Sequence, residues 1–457
     1  MQNREQWGSK IGFILAASGS AVGLGNIWKY PHMAGENGGA AFTIVYLLCI
    51  LLVGLPIVIA EFVIGRKTQL SPVGAFNTIA PKSNWKFVGV LGVCAAFVIL
   101  SFYGVVGGWT LRYAMLSISG GFADYLGSPD AAGQQFNAFI SNPINPVFWQ
   151  IIFMSLTVLV IIKGVKSGIE KWAKIMMPAI LLILILLMVR GLTLPNGTMA
   201  LEFLFKPKFA DLNASSVVLA LGHAFFTLSL GMGTMITYGS YLKKDQNLLS
   251  SALWVILLDT LIAIMAGVAI FATVFAVGAN PDSGPGLIFV ALPTIFPQIA
   301  GGVIWGSLFF FLLFMAALTS AISILEVITA YFIDEKNWSR EKATITFGSV
   351  VTLVGIFCSM SMGGFNDFKT IFNISFFDFL DYLSSKYMLP IGGMFTALFV
   401  LQKWGVDRFI EELTIGMNNQ KVNFYIVKSL FIISALVVGF IIANEIIAIL
   451  TGNNLIG

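Results

Sequence analysis

Charge is scarce in this chain. Asp, Glu, Lys and Arg make up only 11% of the 457 residues, and there are 2 histidines and 3 cysteines. A water-soluble domain carries about 25% charged residues, so an ordinary soluble globule is excluded, and with it a disordered chain and a nucleic-acid binder. So few His and Cys leave little material for a His/Cys metal site. Cys49, Cys94 and Cys358 lie within apolar runs, where packing as small hydrophobes is the simplest reading. What is abundant is apolar surface: 57% of residues are hydrophobic and the mean hydropathy is +0.89. These values describe an all-α polytopic membrane protein embedded in a lipid bilayer.

Hydrocarbon satisfies no backbone N–H or C=O, so each crossing must be a helix or a barrel strand, and a helix needs roughly 20 apolar residues. Long runs such as 42–64 and 303–333 lack the two-residue alternation of a barrel strand. Eleven spans are expected: 11–36, 39–65, 87–118, 147–163, 170–190, 216–241, 250–277, 302–333, 343–361, 372–402 and 422–450. The run 286–299 is too short to cross and is read as a re-entrant or surface helix capping the outer face.

Lys and Arg set the orientation. With the N-terminus inside, most of the 26 fall on the cytoplasmic side, against Arg190, Lys206, Lys208 and Lys369 outside. The N-terminus is expected in the cytoplasm and the C-terminus outside the cell. The net charge of +4 is therefore a topology signal. Lys29, Arg112 and Lys386 fall within spans, the last two without an assigned role.

Two spans contain residues that break helices. Ser20-Ala21-Val22-Gly23-Leu24-Gly25-Asn26 interrupts the first, and the stretch from Phe226 to Thr234 interrupts the sixth. Close packing of small residues accounts for one glycine pair. It accounts less well for the hydrogen-bonding residues added at both places, where an unsatisfied backbone group costs several kcal/mol. The alternative is that both helices unwind and their freed groups line a polar site. One break in each half fits a five-plus-five inverted repeat with a midplane site. The expected organisation is a tail, 1–10; a first repeat, 11–190; an extracellular connection, 191–215; a second repeat, 216–402; and a cytoplasmic loop with the last span, 403–457.

The motifs REQW (4–7), GSAVGLGNIWKYP (19–31), ENGG (36–39), GLPIVIAEFVIGR (54–66), KSGIEKWAKIMMP (166–178), FFTLSLGMGTMITYGSY (225–241) and LFMAALTSAISILE (313–326) follow in order along nearly the whole chain. Together they resemble the neurotransmitter:sodium symporter family, and within it the bacterial eleven-span amino-acid transporters. The resemblance implies a transporter, not an enzyme, that sits in a bacterial cytoplasmic membrane and couples two sodium ions to amino-acid uptake.

By that resemblance one sodium site uses carbonyls of Gly19, Val22 and Ala316 with the hydroxyls of Thr319 and Ser320. For those hydroxyls, bonding to their own helix carbonyls is the competing reading. The other site uses Ala21, Asn26, Thr227 and Asp259. Asp259 departs from the asparagine of the leucine-transporting relative, and Ala263 lacks both the serine of chloride-dependent members and that relative's glutamate. An intramembrane carboxylate is costly unless it has a function or a partner. Asp259 is expected to supply the negative charge that chloride provides elsewhere, so no chloride requirement is expected, and it is a candidate to take up a proton when sodium leaves.

Leu24 and Gly25 open the second half of the first span, where free N–H groups and the helix dipole favour a carboxylate. The resemblance adds the Tyr103 hydroxyl on that carboxylate, and Ala21, Phe226, Thr227 and the Ser229 region on the ammonium group. Leu24, Ile99, Phe226, Met232, Ser323 and Ile324 form the wall, with Ser320 nearby. Met232 stands where the leucine-transporting relative has phenylalanine, and Ser323 replaces a small apolar residue. An adaptable methionine points to large hydrophobic or aromatic substrates; a small aliphatic amino acid is the alternative.

The outer gate is expected at Lys29 and Asp381 over a lid of Tyr103 and Phe226. Lysine cannot make the planar pairing of the family's arginine, which leaves a bridge through water open to it. The inner gate is expected at Arg4 and Asp334, supported by Trp7, Ser240 and Tyr241. Gly168 and Pro178 bracket a stretch of the fifth span that either unwinds or simply kinks. Glu61 and Glu36 are read as scaffold. A channel lacks a filter or charge ring, an enzyme lacks a nucleophile–base or metal cluster, and a non-transporting receptor of the same fold stays open. So does the oligomeric state.

Overall fold

The computed structural model describes residues 4–281, 286–363, 374–417 and 421–451. Lys369 and the first residues of the expected tenth span lie outside them. Among the described residues eight continuous helices are long and apolar enough to cross a membrane: Ala40–Thr68, Lys86–Ile118, Asn145–Ile162, Val165–Leu192, Leu248–Ala276, Gly302–Lys336, Arg340–Met360 and Phe424–Glu445. Two bent pairs bring the number to ten. One is the first span, Lys10–Ala21 with Gly25–Glu36, bent by 49°. The other joins Phe376–Trp404, the tenth span, to Val406–Thr414 at 103°. The expected sixth span is two short helices, Ala214–Thr227 and Thr234–Gly239, with six residues between them.

The breaks occur where helix propensity is lowest and where neighbours replace the lost hydrogen bonds. The first helix is capped by Ser9, whose hydroxyl accepts from Gly12 N at 3.0 Å, and it ends when Val22 turns extended (φ −73°, ψ 101°). A Cβ on Gly23 would collide with Ser320 Oγ and lie 2.9 Å from the Tyr103 hydroxyl, so only glycine fits there. Asn26 Oδ1 then accepts the Gly23 N–H at 3.0 Å. In the sixth span Ser229, Gly231 and Gly233 take φ of 53°, 76° and 77°, a run no helix contains. Buried Glu61 accepts the Gly231 N–H at 2.8 Å, which is the scaffold role its position suggests.

The short run expected to cap one face is a helix, Leu287–Gln298. Phe289 seats it on both the first and third spans, with ring centroids 5.9 Å from Trp28, 5.8 Å from Trp109 and 5.2 Å from Tyr113. Elements the apolar runs do not reveal fill the connections: Pro72–Ile79, Pro129–Ser141, Met199–Phe205 and Val406–Thr414. The last is tied down by Arg66, fully buried, whose Nε donates to Glu412 at 3.0 Å. Each is too short or too polar to register as a span.

Candidate functional site

Both breaks open toward Asp259, on the helix Leu248–Ala276. Its Oδ1 accepts from Asn26 Nδ2 at 2.7 Å and from Thr227 Oγ1 at 2.9 Å, one donor from each broken span. Tyr46 adds its hydroxyl to Oδ2 at 3.5 Å. Asp259, Asn26 and Tyr46 have no solvent exposure. Carboxylate, amide and hydroxyl oxygens are the donor set a hard cation takes, and a buried carboxylate supplies the charge to compensate one. Ala21 and Thr227 both lie on the wall of the central cavity.

The second cluster joins the first span to Gly302–Lys336. Thr319 Oγ1 donates to the carbonyls of Ala316 at 2.9 Å and Val22 at 3.5 Å, and Ser320 Oγ to those of Ser20 at 3.1 Å and Val22 at 3.4 Å. Thr319 therefore back-bonds to its own helix and reaches the unwound chain at once. A Cβ on Gly19 would meet Thr319 Cβ at 3.4 Å and Met177 Sδ at 3.2 Å, which places Gly19 between this cluster and the fifth span.

Between the breaks lies a cavity lined by Ser20, Ala21, Gly23, Leu24, Gly25, Ile99, Tyr103, Phe226, Thr227, Ser229, Met232, Ser320 and Ile324. It offers about 20 Å³ to the centre of a water molecule, room for about one water. A larger guest requires Phe226, Met232 or Ile324 to swing aside. Tyr103 Oη accepts from Leu24 N at 3.3 Å, so its hydroxyl already marks the helix start expected to hold a carboxylate. Of the wall residues expected from the sequence, only Ser323 is off the lining. Its hydroxyl donates to the Ser320 carbonyl at 2.7 Å and accepts from Ser20 Oγ at 2.7 Å, behind the wall.

Above Phe226 the path is shut. Lys29 Nζ sits 2.9 Å from Asp381 Oδ1 and 4.1 Å from the centre of the Phe226 ring. The pair is direct, which corrects the water bridge left open for lysine: the flexible ammonium reaches one carboxylate oxygen while its charge rests on the ring. At the opposite end Arg4 pairs with Asp334, donates to Ser240 Oγ at 2.7 Å, and lies 4.7 Å above the Tyr241 ring. Trp7 closes beside it, its indole donating to the Tyr238 carbonyl at 2.9 Å and its backbone N–H to that of Tyr241 at 3.1 Å. The two clusters expected to be gates thus both make direct contacts, one at each end of the cavity.

Several residues join these sites without having been expected. Ser20 links Ser229, Ser320 and Ser323. Tyr46 reaches Asp259 from the second span. Arg340 binds buried Glu326 at 2.8 Å and Glu5 at 3.1 Å, while Glu326 accepts from the Tyr241 hydroxyl at 2.6 Å. Glu326 carried a signal, an acid in an apolar run; Ser20 and Tyr46 carried none beyond their place in the motifs. Lys386 faces Glu445 at 3.4 Å. The stretch between Gly168 and Pro178 is helical throughout in this conformation: a π-helical turn, Val165–Glu170, runs into Lys171–Leu192 with Pro178 inside it.

Three comparisons bear on this geometry. A family model described as the sodium:neurotransmitter symporter family matches residues 4–124 and 139–454. An uncharacterized sodium-dependent transporter of Bacillus subtilis is 41% identical over 93% of this chain and 93% of its own length. One of Haemophilus influenzae is 34% identical over 87% of this chain and 89% of its own. Among solved structures, MhsT in complex with L-phenylalanine superposes with a TM-score of 0.88 at 46% identity, covering 96% of this chain and 99% of that one.

Proposed function

The chain belongs to the sodium:neurotransmitter symporter family, and from that membership we propose that it imports hydrophobic or aromatic L-amino acids with sodium, by alternating access and without a chloride requirement. Spans 1–5 (11–190) and 6–10 (216–402) act as the two repeats that move against each other, with the N-terminus inside. The observation that carries this reading is the buried carboxylate of Asp259, held by one donor from each broken helix beside a cavity closed at both ends.

Sodium enters as co-substrate. One ion is taken by Asp259, Thr227, Asn26 and the Ala21 carbonyl, the other by Thr319, Ser320 and the carbonyls of Gly19, Val22 and Ala316. The amino acid places its carboxylate at the N–H groups of Leu24 and Gly25 and the Tyr103 hydroxyl. Its ammonium group meets the carbonyls around Ala21, Phe226 and Thr227. Thr227 and Ala21 serve both the substrate and one ion, so each ligand orders the backbone the other needs. By linkage the two raise each other's affinity by the same factor. The Phe226–Lys29–Asp381 gate opens to admit them, and the Arg4–Asp334 gate opens to release them. Gly168 and Pro178 are the places where the fifth span loosens to wet the Thr319 cluster.

The phenylalanine bound to MhsT supports a large apolar side chain, as does the adaptable Met232. The 20 Å³ cavity favours the second reading, a small aliphatic amino acid. Competition against radiolabelled uptake decides: aromatic and large aliphatic amino acids are expected to compete at concentrations at least tenfold below those of glycine or alanine. The reverse order establishes the second reading.

Uptake into proteoliposomes is the test of the function itself. An inward sodium gradient is expected to drive accumulation, potassium is not, and replacing chloride by gluconate is expected to change the rate less than twofold. Binding without accumulation would make the protein a receptor of this fold. Loss of uptake without chloride would remove the role given to Asp259.

A further inference from the structure

Arg112 is a half-buried cation that neither gate nor ion cluster uses. It lies less than two turns before the end of Lys86–Ile118, on the side where Lys29 and the capping helix sit. Among the described residues no carboxylate pairs with it; its contact is the ring of Phe139, 5.8 Å from the guanidinium carbon. A half-buried guanidinium near the edge of the hydrocarbon is costly without a counter-charge.

The space beside it is a cavity of about 250 Å³ lined by Arg112, Tyr113, Tyr125, Gln135 and Asn145, with Leu116 and Phe139 as apolar walls. Among the described residues no acidic side chain lines it. Asn145 opens the helix Asn145–Ile162, so the positive end of that helix dipole lies at the same cavity. The neighbouring surface is apolar and open: Met115, Ile118, Ile144 and Phe148 are 50%, 59%, 74% and 53% exposed. An arginine fork, two phenols and a helix start, flanked by exposed apolar side chains, match an anion carried on a lipid.

We propose that this cavity binds the phosphate of an anionic phospholipid in the leaflet on the Lys29 side, with Arg112 as its charge partner. The guanidinium donates to two phosphate oxygens, the Tyr113 and Tyr125 hydroxyls and the Asn145 amide complete the shell, and the acyl chains lie along Ile118, Ile144 and Phe148. A zwitterionic lipid brings a cation into a site that already holds one, so the preference is for a net anion.

The test is native mass spectrometry of the full-length protein in neutral detergent, titrated with phosphatidylglycerol or phosphatidylcholine. The wild type is expected to hold at least one phosphatidylglycerol tenfold more tightly than phosphatidylcholine. Arg112→Gln is expected to lose that preference while keeping its thermal unfolding midpoint. Gln135→Glu keeps the arginine but puts a carboxylate beside it, and the same loss is expected without any change in packing. Equal affinity of the wild type for the two lipids overturns the proposal, and so does an undiminished preference in Gln135→Glu. Displacement of the lipid by an equal concentration of soluble glycerol phosphate assigns the site to a free anion and overturns it as well.

Discussion

Replacing Asp259 by asparagine is expected to weaken sodium binding at least tenfold while the protein stays folded. The change keeps size and one acceptor oxygen but removes the charge. Asn26 Nδ2 at 2.7 Å and Thr227 Oγ1 at 2.9 Å both donate to the carboxylate. Hydrogen bonds to a charged group are worth roughly 1.5–3 kcal/mol, against about 1.4 kcal/mol for a factor of ten. The direct attraction between carboxylate and ion is lost in addition. Sodium titration of substrate binding measures the effect, and linkage requires the substrate's own affinity to fall with it at limiting sodium. Chloride is expected to restore part of the lost affinity, since an anion then supplies the missing charge. Unchanged sodium affinity in this variant would falsify the assignment of Asp259 to the ion.

Arg4→Ala is expected to open the opposite end. Arg4 holds the N-terminal segment against three partners, Asp334, Ser240 and the face of Tyr241; the Asp334 side chain is 7% exposed with Arg4 in place, and removing Arg4 leaves the Ser71 N–H, at 2.6 Å, as its remaining donor. Breaking a buried pair from one side costs about 3–5 kcal/mol, enough to shift a two-state gate by on the order of a hundredfold or more. Hydrogen exchange reads it directly: amides of residues 5–12 and 234–241 are expected to exchange faster in the variant, while those around Lys29 and Asp381 keep their wild-type protection. Sodium-dependent substrate binding is expected to weaken, because the closed-inside state that retains both ligands is depopulated. Wild-type exchange across residues 5–12 would show that Trp7 and Glu5 hold the gate without Arg4.

The two variants act on different layers of legibility in the sequence. Asp259 stands out in an apolar helix, where a carboxylate is too costly to be incidental, and composition alone draws attention to it. Arg4 does not stand out; as a cation just before the first apolar run it looks like any topology marker until the motif REQW and the partner Asp334 are considered together. Ser20 shows the limit from the other side. It lies inside the most conspicuous motif of the chain, yet its part as the link among Ser229, Ser320 and Ser323 depends on three helices meeting, and no spacing along the chain encodes that. The helix Val406–Thr414 escaped for a related reason: it turns by 103° from the tenth span and never crosses.

What the sequence determined by itself was whatever follows from solvent and backbone chemistry: helical spans from long apolar runs, and the two breaks from glycine and serine where a helix cannot hold. These are local consequences, because each segment meets the bilayer largely on its own terms. Only the tertiary structure decided which freed groups meet. It brought Asn26 and Thr227 to one carboxylate, set Lys29 directly on Asp381, moved Ser323 behind the cavity wall, and left Arg112 beside a cavity that no acid among the described residues lines. Those outcomes depend on distances of a few ångströms between residues hundreds of positions apart, and packing sets such distances.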